Sequence, residues 1–540
     1  MCQTVTGIAT LEIDQLGIAL PPGGDRTHAV TSLSLAIEPG RTLCVVGESG
    51  SGKSVMATSV MGLLPRELRV TAGRIRLEGE SLIEADPTRL RALRGKAMGM
   101  VFQEPMTALN PVMRCGDQID ELLRTHTRES TAQRLRAIRA VLERVHLGEP
   151  DRILRSYPHQ LSGGQRQRIV IAMAVILKPA LLICDEPTTA LDVTTQKEIL
   201  TLIAELQRDQ GSAVLFITHD MGVVADIADD VLVMHEGRCV EQGPRDQILR
   251  TPSAEYTRML LAAVPGMTPP EPRVRPPAAT RLSAHGVGKN YVSRDWVGRR
   301  QETAALKDAS LALEGGETIG IVGESGSGKS TFARCLIRLL EPSEGDIYWG
   351  AEEVARRTER ELRPLRHRVQ VVFQDPNRSL NPRRTVGQSI VEGAMNFGAS
   401  PADAQALAER LIGQVRLPAQ SLDRYPSQFS GGQRQRIAIA RALACKPEVL
   451  VADEAVSALD VSVQAQILDL LRDIQSELGL GLLFITHDLR VAAQLCDRVI
   501  VMQRGRIVEQ GGTRNLYASP QHPYTRHLLA SAPAGLDIGQ

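Results

Sequence analysis

Residues 41–54 read RTLCVVGESGSGKS, and residues 317–330 read ETIGIVGESGSGKS. In each, a short apolar run enters a glycine-rich turn of the form G-x4-G-K-S. A run without polar alternation is the pattern of a parallel strand buried on both faces. The turn is that of a phosphate-binding loop. Its glycines let backbone N–H groups face inward around phosphate oxygens, and the helix behind it starts with unpaired N–H groups at its positive end. One cradle would comprise Gly47, Glu48, Ser49, Gly50, Ser51, Gly52, Lys53, Ser54 and Val55. The second would comprise Gly323, Glu324, Ser325, Gly326, Ser327, Gly328, Lys329, Ser330 and Thr331. Lys53 and Lys329 would reach the β- and γ-phosphates, and Ser54 and Ser330 would hold Mg²⁺. A single match is compatible with an ordinary strand-to-helix turn; two, each behind an apolar strand, argue for phosphate chemistry.

The chain repeats more than this loop. GESGSGKS recurs at an offset of 276 residues, while SGGQRQRI (162–169 and 430–437) and FITHD (216–220 and 484–488) recur at 268. Motif order is the same in both copies, and the second copy is slightly shorter between its first two motifs. The join is MTPPEPRVRPPAATR (267–281), whose five prolines disfavour helix and central strand. This divides the chain into a first domain at 1–266, a semi-extended linker at 267–280 and a second domain at 281–540. Each half is long enough for a core domain with an inserted subdomain. ALLICDE (180–186), EVLVADE (448–454), AVLFITHD (213–220) and GLLFITHD (481–488) read as further buried strands. TAQRLRAIRAVLERVHL (131–147) reads as a helix with Leu135, Ile138, Val141, Leu142 and Val145 on one face. Strands alternating with helices predict a mostly parallel sheet with ligands at the carboxyl ends of its strands.

Several polar residues stand at those strand ends. Asp185-Glu186 and Asp453-Glu454 close apolar strands, where paired carboxylates are costly without a cation or hydrogen bonds. The aspartate would contact Mg²⁺ or its water, and the glutamate would act as general base on a water. Gln103 and Gln374 follow strands ending in phenylalanine, and an amide there can touch Mg²⁺, its water and the γ-phosphate region. His219 and His487 follow LFIT and could hydrogen-bond the γ-phosphate. Either residue type alone reads as a structural strand terminus; its repetition favours a role in the site. Ser162-Gly163-Gly164-Gln165 and Ser430-Gly431-Gly432-Gln433 open helices, with serine as N-cap and glycines that permit close approach to an anion.

Composition bounds the alternatives. The 540 residues carry 63 Lys+Arg and 62 Asp+Glu, a net charge of +1, which gives no global attraction to nucleic acid or acidic lipid. At 43% hydrophobic and 23% charged, the chain is neither disordered, collagenous nor coiled-coil in bulk. The length alone suggests three or four domains at roughly 150 residues each. The longest apolar run, Ile169 to Cys184, is broken by Lys178-Pro179, so no membrane span is predicted. MCQTVTGIAT does not read as a secretory signal. Cys2, Cys44, Cys115, Cys184, Cys239, Cys335, Cys445 and Cys496 are dispersed without a CxxC pair, which predicts reduced, mostly packing cysteines rather than zinc or disulfides.

Taken together, both halves resemble the nucleotide-binding domains of ABC transporters over essentially the whole chain. The resemblance rests on the ordered series of Walker A (47–54, 323–330), Q-loop (Gln103, Gln374), signature (LSGGQ 161–165, FSGGQ 429–433), Walker B with its glutamate, D-loop (ALD 190–192, 458–460) and switch histidine. It implies an α/β fold: tandem P-loop domains, each a RecA-like, mostly parallel sheet with an antiparallel β part and an inserted helical subdomain. It also implies a head-to-tail pair. Ser430 and Gly432 would complete the ATP site built on Lys53, and Ser162 and Gly164 the site built on Lys329. Every catalytic motif residue is present twice, so both sites are expected to hydrolyse ATP. The family places an aromatic ring against adenine upstream of Walker A. Tyr291 fits that position in the second half; in the first, the strand ends at Leu20, so weaker stacking is expected there. A second departure is Ala455, where the first half has Pro187.

TPSAEYTRMLLAAVP (251–265) and SPQHPYTRHLLASAP (519–533) resemble the tails of oligopeptide and dipeptide importer ATPases, as do FQEPMTALNP (102–111) and FQDPNRSLNP (373–382). This implies a peripheral ATPase on the cytoplasmic face of the inner membrane, working with two integral membrane permease subunits and an extracytoplasmic solute-binding protein. Some members carry an iron–sulfur cluster beyond this tail; no cysteine follows either tail closely here, so neither that cluster nor zinc is expected. Related ATPases serve nickel complexes, glutathione or other small solutes, and the sequence leaves those cargoes open. A soluble twin ATPase acting on ribosome or DNA is the rival class. The short proline-rich linker, the lack of CxxC insertions and the net charge oppose it, so no nucleic-acid partner is expected.

Overall fold

The computed structural model describes residues 9–23, 26–103, 108–189, 191–271, 278–294, 300–457 and 459–532. The D-loop residues Ala190 and Ala458, residues 104–107 of the segment after Gln103, the linker residues 272–277, Cys2 and Pro533 of the second tail lie outside them. The chain divides into two compact units, one built mainly on residues up to Val264 and the other mainly on Pro265–Ala532.

In the first unit, the strand that enters the glycine-rich loop is Thr42–Val46. It lies third in a sheet of six strands ordered Arg238–Pro244, Asp230–His235, Thr42–Val46, Ala213–Ile217, Leu181–Asp185 and Met98–Val101. All neighbours are parallel except the edge pair Arg238–Pro244 and Asp230–His235. Every residue of Thr42–Val46, Leu181–Asp185 and Ala213–Ile217 is buried, which is why these segments read as unbroken apolar runs. A second sheet of four antiparallel strands, ordered His28–Ile37, Leu11–Ala19, Arg69–Leu77 and Glu80–Ser81, alternates instead. Leu11 and Ile13 point inward while Glu12 between them is exposed, as expected of a sheet wetted on one face. One core joins this sheet to the helix Lys53–Val60 through Leu33, Val45, Met56 and Val60. The opposite face of the parallel sheet packs on the helices Cys115–His126, Thr131–Arg144 and Gly163–Val175 through Ile119, Leu142, Ile171 and Phe216.

The helix read from 131–147 spans Thr131–Arg144, opened by a reciprocal cap in which Ser130 and Gln133 exchange side-chain and backbone bonds. Ile138, Val141 and Leu142 are buried as expected, but Leu135 is 38% exposed. The buried stripe is therefore narrower than the periodicity indicated, and Val145 enters the core from the C-cap position beyond the last turn.

The second unit repeats the plan. Its six-stranded sheet is ordered Val369–Val372, Val449–Asp453, Gly481–Ile485, Thr318–Val322, Arg498–Gln503 and Arg506–Gly512, and a four-stranded antiparallel sheet is ordered Arg300–Glu314, Thr280–Arg294, Glu344–Trp349 and Glu352–Glu353. Helices Val386–Asn396, Pro401–Gln414 and Gly431–Leu443 take the place of the first unit's helical layer. The start of the linker packs on this unit: Gln494 Nε2 donates to the carbonyls of Gly266 and Thr268, each at 2.9 Å, and Arg514 pairs with Glu271 at 2.5 Å. Among the described residues no helix is long and apolar enough to cross a membrane. Cys44, Cys115, Cys184, Cys335 and Cys496 are buried, and burial pushes their thiols upward, away from the reactive thiolate.

Candidate active site

In each unit the carboxyl ends of the parallel strands bring the expected residues together. Gly47 has φ 147°, and a Cβ there would stand 2.1 Å from the Met234 carbonyl oxygen; Gly323 repeats this with φ 147° and Met502 at 2.3 Å. Only glycine lets the loop pass this close to the neighbouring strand. The loop then curls around its own lysine. Lys53 Nζ donates to the carbonyls of Gly47 (2.7 Å) and Glu48 (2.9 Å), and Lys329 Nζ to those of Gly323 (2.7 Å) and Glu324 (2.9 Å). Both lysines are 5% exposed. Beside them, Ser51 Oγ and Ser327 Oγ are buried with no hydrogen-bond partner among the described residues. A buried ammonium and an unsatisfied hydroxyl inside a ring of N–H groups form a site that a polyanion would complete.

The residues expected at the metal also converge. Ser54 Oγ donates to Asp185 Oδ1 at 3.0 Å, and Ser330 Oγ to Asp453 Oδ1 at 3.3 Å. Burial pushes Asp185 up to about 6 against the pull of Ser54 and Lys53, with Glu186 adding to the rise; Asp453 is raised for the same first reason, with Glu454 adding. A buried carboxylate that the protein leaves under-compensated next to a hydroxyl fits a hard cation. One carboxylate and one hydroxyl, with the substrate's phosphates, is a donor set suited to Mg²⁺. When bound, Mg²⁺ neutralises charge on the β- and γ-phosphates.

Glu186 and Glu454 stand one residue beyond their strands in the left-handed region, at φ 48° and 50°. Their amides still donate to Ile217 and Ile485 at 3.0 Å, so the turn swings the carboxylate away from the aspartate without breaking the sheet edge. For a residue with a Cβ this conformation costs about 1–2 kcal/mol, and such strain gathers at functional sites. Two expected residues, a glutamine and a histidine, meet at each carboxylate. Gln103 Nε2 donates to Glu186 Oε2 at 3.0 Å and His219 Nδ1 lies 3.4 Å from the same oxygen; Gln374 Nε2 reaches Glu454 Oε2 at 2.8 Å and His487 Nδ1 lies at 3.7 Å. Burial alone would raise Glu186, but the hydrogen bond and charge of His219, the Thr189 hydroxyl and Lys53 outweigh it and hold the carboxyl at about 2. Glu454 is lowered against burial by His487 and Lys329. Both glutamates are thus ionised at neutral pH and able to accept a proton from water.

The signature serines cap their helices. Ser162 Oγ accepts from Gln165 N at 3.2 Å and Gln165 Oε1 from Ser162 N at 3.1 Å, with the same exchange between Ser430 and Gln433 at 3.3 and 3.0 Å. The two glycines differ in use. Among the described residues nothing lies within 4 Å of a Cβ built on Gly163, and only Leu459 (3.9 Å) approaches one on Gly431. A Cβ on Gly164 would meet Thr195 at 2.9 Å, and one on Gly432 would meet Val463 at 2.2 Å. The first glycine leaves the helix entrance open, while the second lets the helix seat against its neighbour. Tyr291 is 43% exposed, and the Lys289 ammonium lies 5.7 Å from its ring centroid. Leu20, one residue past the strand Leu11–Ala19 of the first unit, is half-buried and packed against the core.

Sequence reasoning missed two kinds of contact. Thr189 Oγ1 donates to Glu186 Oε2 at 2.9 Å. The tail tyrosines reach the loop: the amides of Glu48 and Glu324 point to Tyr256 Oη at 3.4 Å and Tyr524 Oη at 3.0 Å. The repeated YTR in both tails was the available signal, but nothing in spacing tells that a residue some 200 positions away returns to the loop.

Two glycine-rich phosphate cradles, each with a strand-end carboxylate pair, a glutamine and a histidine, define a tandem P-loop ATPase. The family described as ABC transporter matches residues 30–189 and 306–457, and the one described as oligopeptide/dipeptide transporter, C-terminal region, matches 240–299 and 508–535. The chain belongs to the ABC transporter family and is an ATPase with two fused ATP-binding cassettes. It is 45% identical over 556 residues to the glutathione import ATP-binding protein GsiA of Salmonella choleraesuis (strain SC-B67), covering 97% of this chain and 89% of that protein. GsiA of Escherichia coli (strain K12) matches with the same identity and coverage. Among solved structures, the ATP-binding cassette MJ0796 bound to ADP and Pi in a post-hydrolysis dimer is 30% identical, covering 43% of this chain and 99% of that one, with a TM-score of 0.40.

Proposed function

We propose that this ATPase powers uptake of small peptides through separate membrane subunits. The observation that carries the reading is the pair of tails matching the oligopeptide/dipeptide transporter C-terminal region at 240–299 and 508–535. The domains at 1–266 and 281–540 serve as the two cassettes. In each, the Walker A lysine and loop amides hold the ATP phosphates, and Ser54 with Asp185, or Ser330 with Asp453, is the place for Mg²⁺. Gln103 and Gln374 adjoin that place, and Glu186 and Glu454 accept the proton of the attacking water, oriented by His219 and His487. The signature helix starts at Ser162 and Ser430 supply further N–H groups for phosphate, and Tyr291 stacks on adenine. Two permease subunits and a solute-binding protein complete the system, with the chain peripheral on the cytoplasmic face of the inner membrane.

Within the peptide class, the relatives favour glutathione, because the proteins sharing 45% of their residues with this chain are named for its import. The test is copurification of the tagged chain from its native membrane, then reconstitution of the captured complex with its binding protein in proteoliposomes. ATP-dependent accumulation of labelled glutathione or a dipeptide supports the proposal. Capture of ribosomes or nucleic acid without membrane proteins, or accumulation of nickel alone, overturns it.

A further inference from the structure

The tail tyrosines touch the loop at an informative place. The amide that approaches Tyr524 Oη at 3.0 Å is that of Glu324, and the carbonyl of the same peptide group belongs to Gly323, which accepts from Lys329 Nζ at 2.7 Å. The first unit repeats the arrangement through the Gly47–Glu48 peptide, with Tyr256 Oη at 3.4 Å and Lys53 Nζ at 2.7 Å. A peptide group is planar and rigid, so fixing its N–H fixes the direction of its C=O. This plane follows a glycine in a conformation that side chains avoid, so no Cβ on its N-terminal side steers it.

The tyrosine is itself held firmly. Glu509, on the strand Arg506–Gly512, accepts from the amides of Gln521 (2.8 Å) and His522 (3.0 Å), which anchors the start of the helix Pro523–Ser531. Glu241 does the same for the helix Glu255–Ala262, accepting from Ser253 N at 2.7 Å and Ala254 N at 3.2 Å. The strand motif VEQG (240–243 and 508–511) and the tail tyrosine both recur at the offset of 268. Tyr524 is 7% exposed, and burial pushes its phenol up to about 12, so it stays neutral while accepting the loop's N–H.

We propose that Tyr524 and Tyr256 are positioning residues for ATP binding: their hydroxyls set the plane of the Gly–Glu peptide whose carbonyl seats the P-loop lysine. This rests on the reading of residues 47–54 and 323–330 as the phosphate sites. The lysine contacts phosphates in ground and transition states alike, so loss of the hydroxyl weakens binding more than turnover.

The experiment uses the full chain in a Lys53→Ala background, so that only the second site binds, with a fluorescent N-methylanthraniloyl ATP as probe and the thermal midpoint of the nucleotide-free chain as control. Tyr524→Phe keeps the ring and removes one hydrogen bond. We expect a roughly three- to tenfold weaker Kd, a matching rise in KM, kcat within about twofold and a midpoint within about 2 °C of the parent. Tyr256→Phe in a Lys329→Ala background is expected to shift Kd less, as its contact is longer. An unchanged Kd in Tyr524→Phe, with binding abolished by Lys53→Ala plus Lys329→Ala, overturns the tyrosine's role and leaves the phosphate sites standing. A Kd change accompanied by a large drop in midpoint also overturns it, in favour of a structural contact. Binding that survives the double lysine variant overturns the phosphate-site reading itself.

Discussion

Thr189 donates its hydroxyl proton to the Glu186 carboxylate at 2.9 Å, whereas Ser457, at the same place in the second cassette, donates to the Glu454 backbone carbonyl at 3.0 Å. The two glutamates therefore differ in support although their motifs match. Thr189→Ala removes a donor from an ionised group, while Ser457→Ala leaves the carboxylate untouched. With the other site silenced by Glu→Gln, Thr189→Ala should change ATP turnover by roughly 3- to 30-fold, and Ser457→Ala by less than about twofold. Equal effects measured by phosphate release would refute the difference.

Glu186→Gln with Glu454→Gln should lower ATP turnover by roughly 100- to 10,000-fold while ATP binding persists. Turnover is read by phosphate release and binding by filter retention of labelled ATP. Unchanged turnover would remove the general-base assignment.

The signature glycines should separate by stability. Gly432→Ala forces Val463 aside and is expected to destabilise the fold by about 1–3 kcal/mol. Gly431→Ala meets only an ordinary contact with Leu459 among the described residues and should change it by less than about 1 kcal/mol in either direction. Adding Val463→Ala should recover much of the loss at Gly432, and a double-mutant cycle by chemical denaturation checks the coupling. If Gly432→Ala alone is neutral, the seating contact is not what requires glycine there.

Glu241 and Glu509 give a pH-dependent term. Burial would raise both, but donors just ahead of the tail helices outweigh it and hold both below their ordinary 4.5: the Ser253 hydroxyl and the Ser253 and Ala254 amides at Glu241, and the Gln521 and His522 amides with the His522 charge at Glu509. A lowered folded value means a stabilisation fully present above 4.5 and lost as pH falls through that lower folded value. Glu509→Gln should therefore cost about 1–3 kcal/mol near neutral pH and progressively less in acid. Thermal midpoints across a pH series check this, and a gap that widens in acid would contradict the clamp.

The adenine sides should differ as well. Tyr291 offers an exposed ring, whereas Leu20 offers no ring and is half-buried against the core. The second site should bind nucleotide more tightly, within the about 1–3 kcal/mol that base stacking supplies. Titration of Lys53→Ala and Lys329→Ala chains with the same labelled ATP compares the sites one at a time, and equal affinities would count against Tyr291 as a stacking residue.

How much of this was legible in the sequence follows from where each constraint lies. Lys53, Ser54, Asp185, Glu186, Gln103 and His219 could be picked out because each recurs at or just beyond the end of a buried strand, and the structure brings Ser54 to Asp185 and Gln103 and His219 to Glu186 there. The parallel sheet was readable because strands buried on both faces leave unbroken apolar runs. Leu135 was misplaced because helical periodicity gives the direction of a side chain but not the width of the layer that covers it. Val463 beneath Gly432 and Tyr524 against Glu324 were invisible because both depend on distances set only after the chain folds. Thr189 was hidden by its neighbourhood, since a threonine after Glu-Pro reads equally well as a turn residue.

The left-handed backbone at Glu186 and Glu454 bears on how the protein would behave under laboratory evolution. Glycine relaxes each turn, and asparagine tolerates it better than glutamate, so substitutions that would remove the proposed general base relieve local strain at the same time. A variant library selected for heat resistance alone would accumulate inactive chains at these two positions, and the hardiest survivors would be those that had given up their chemistry.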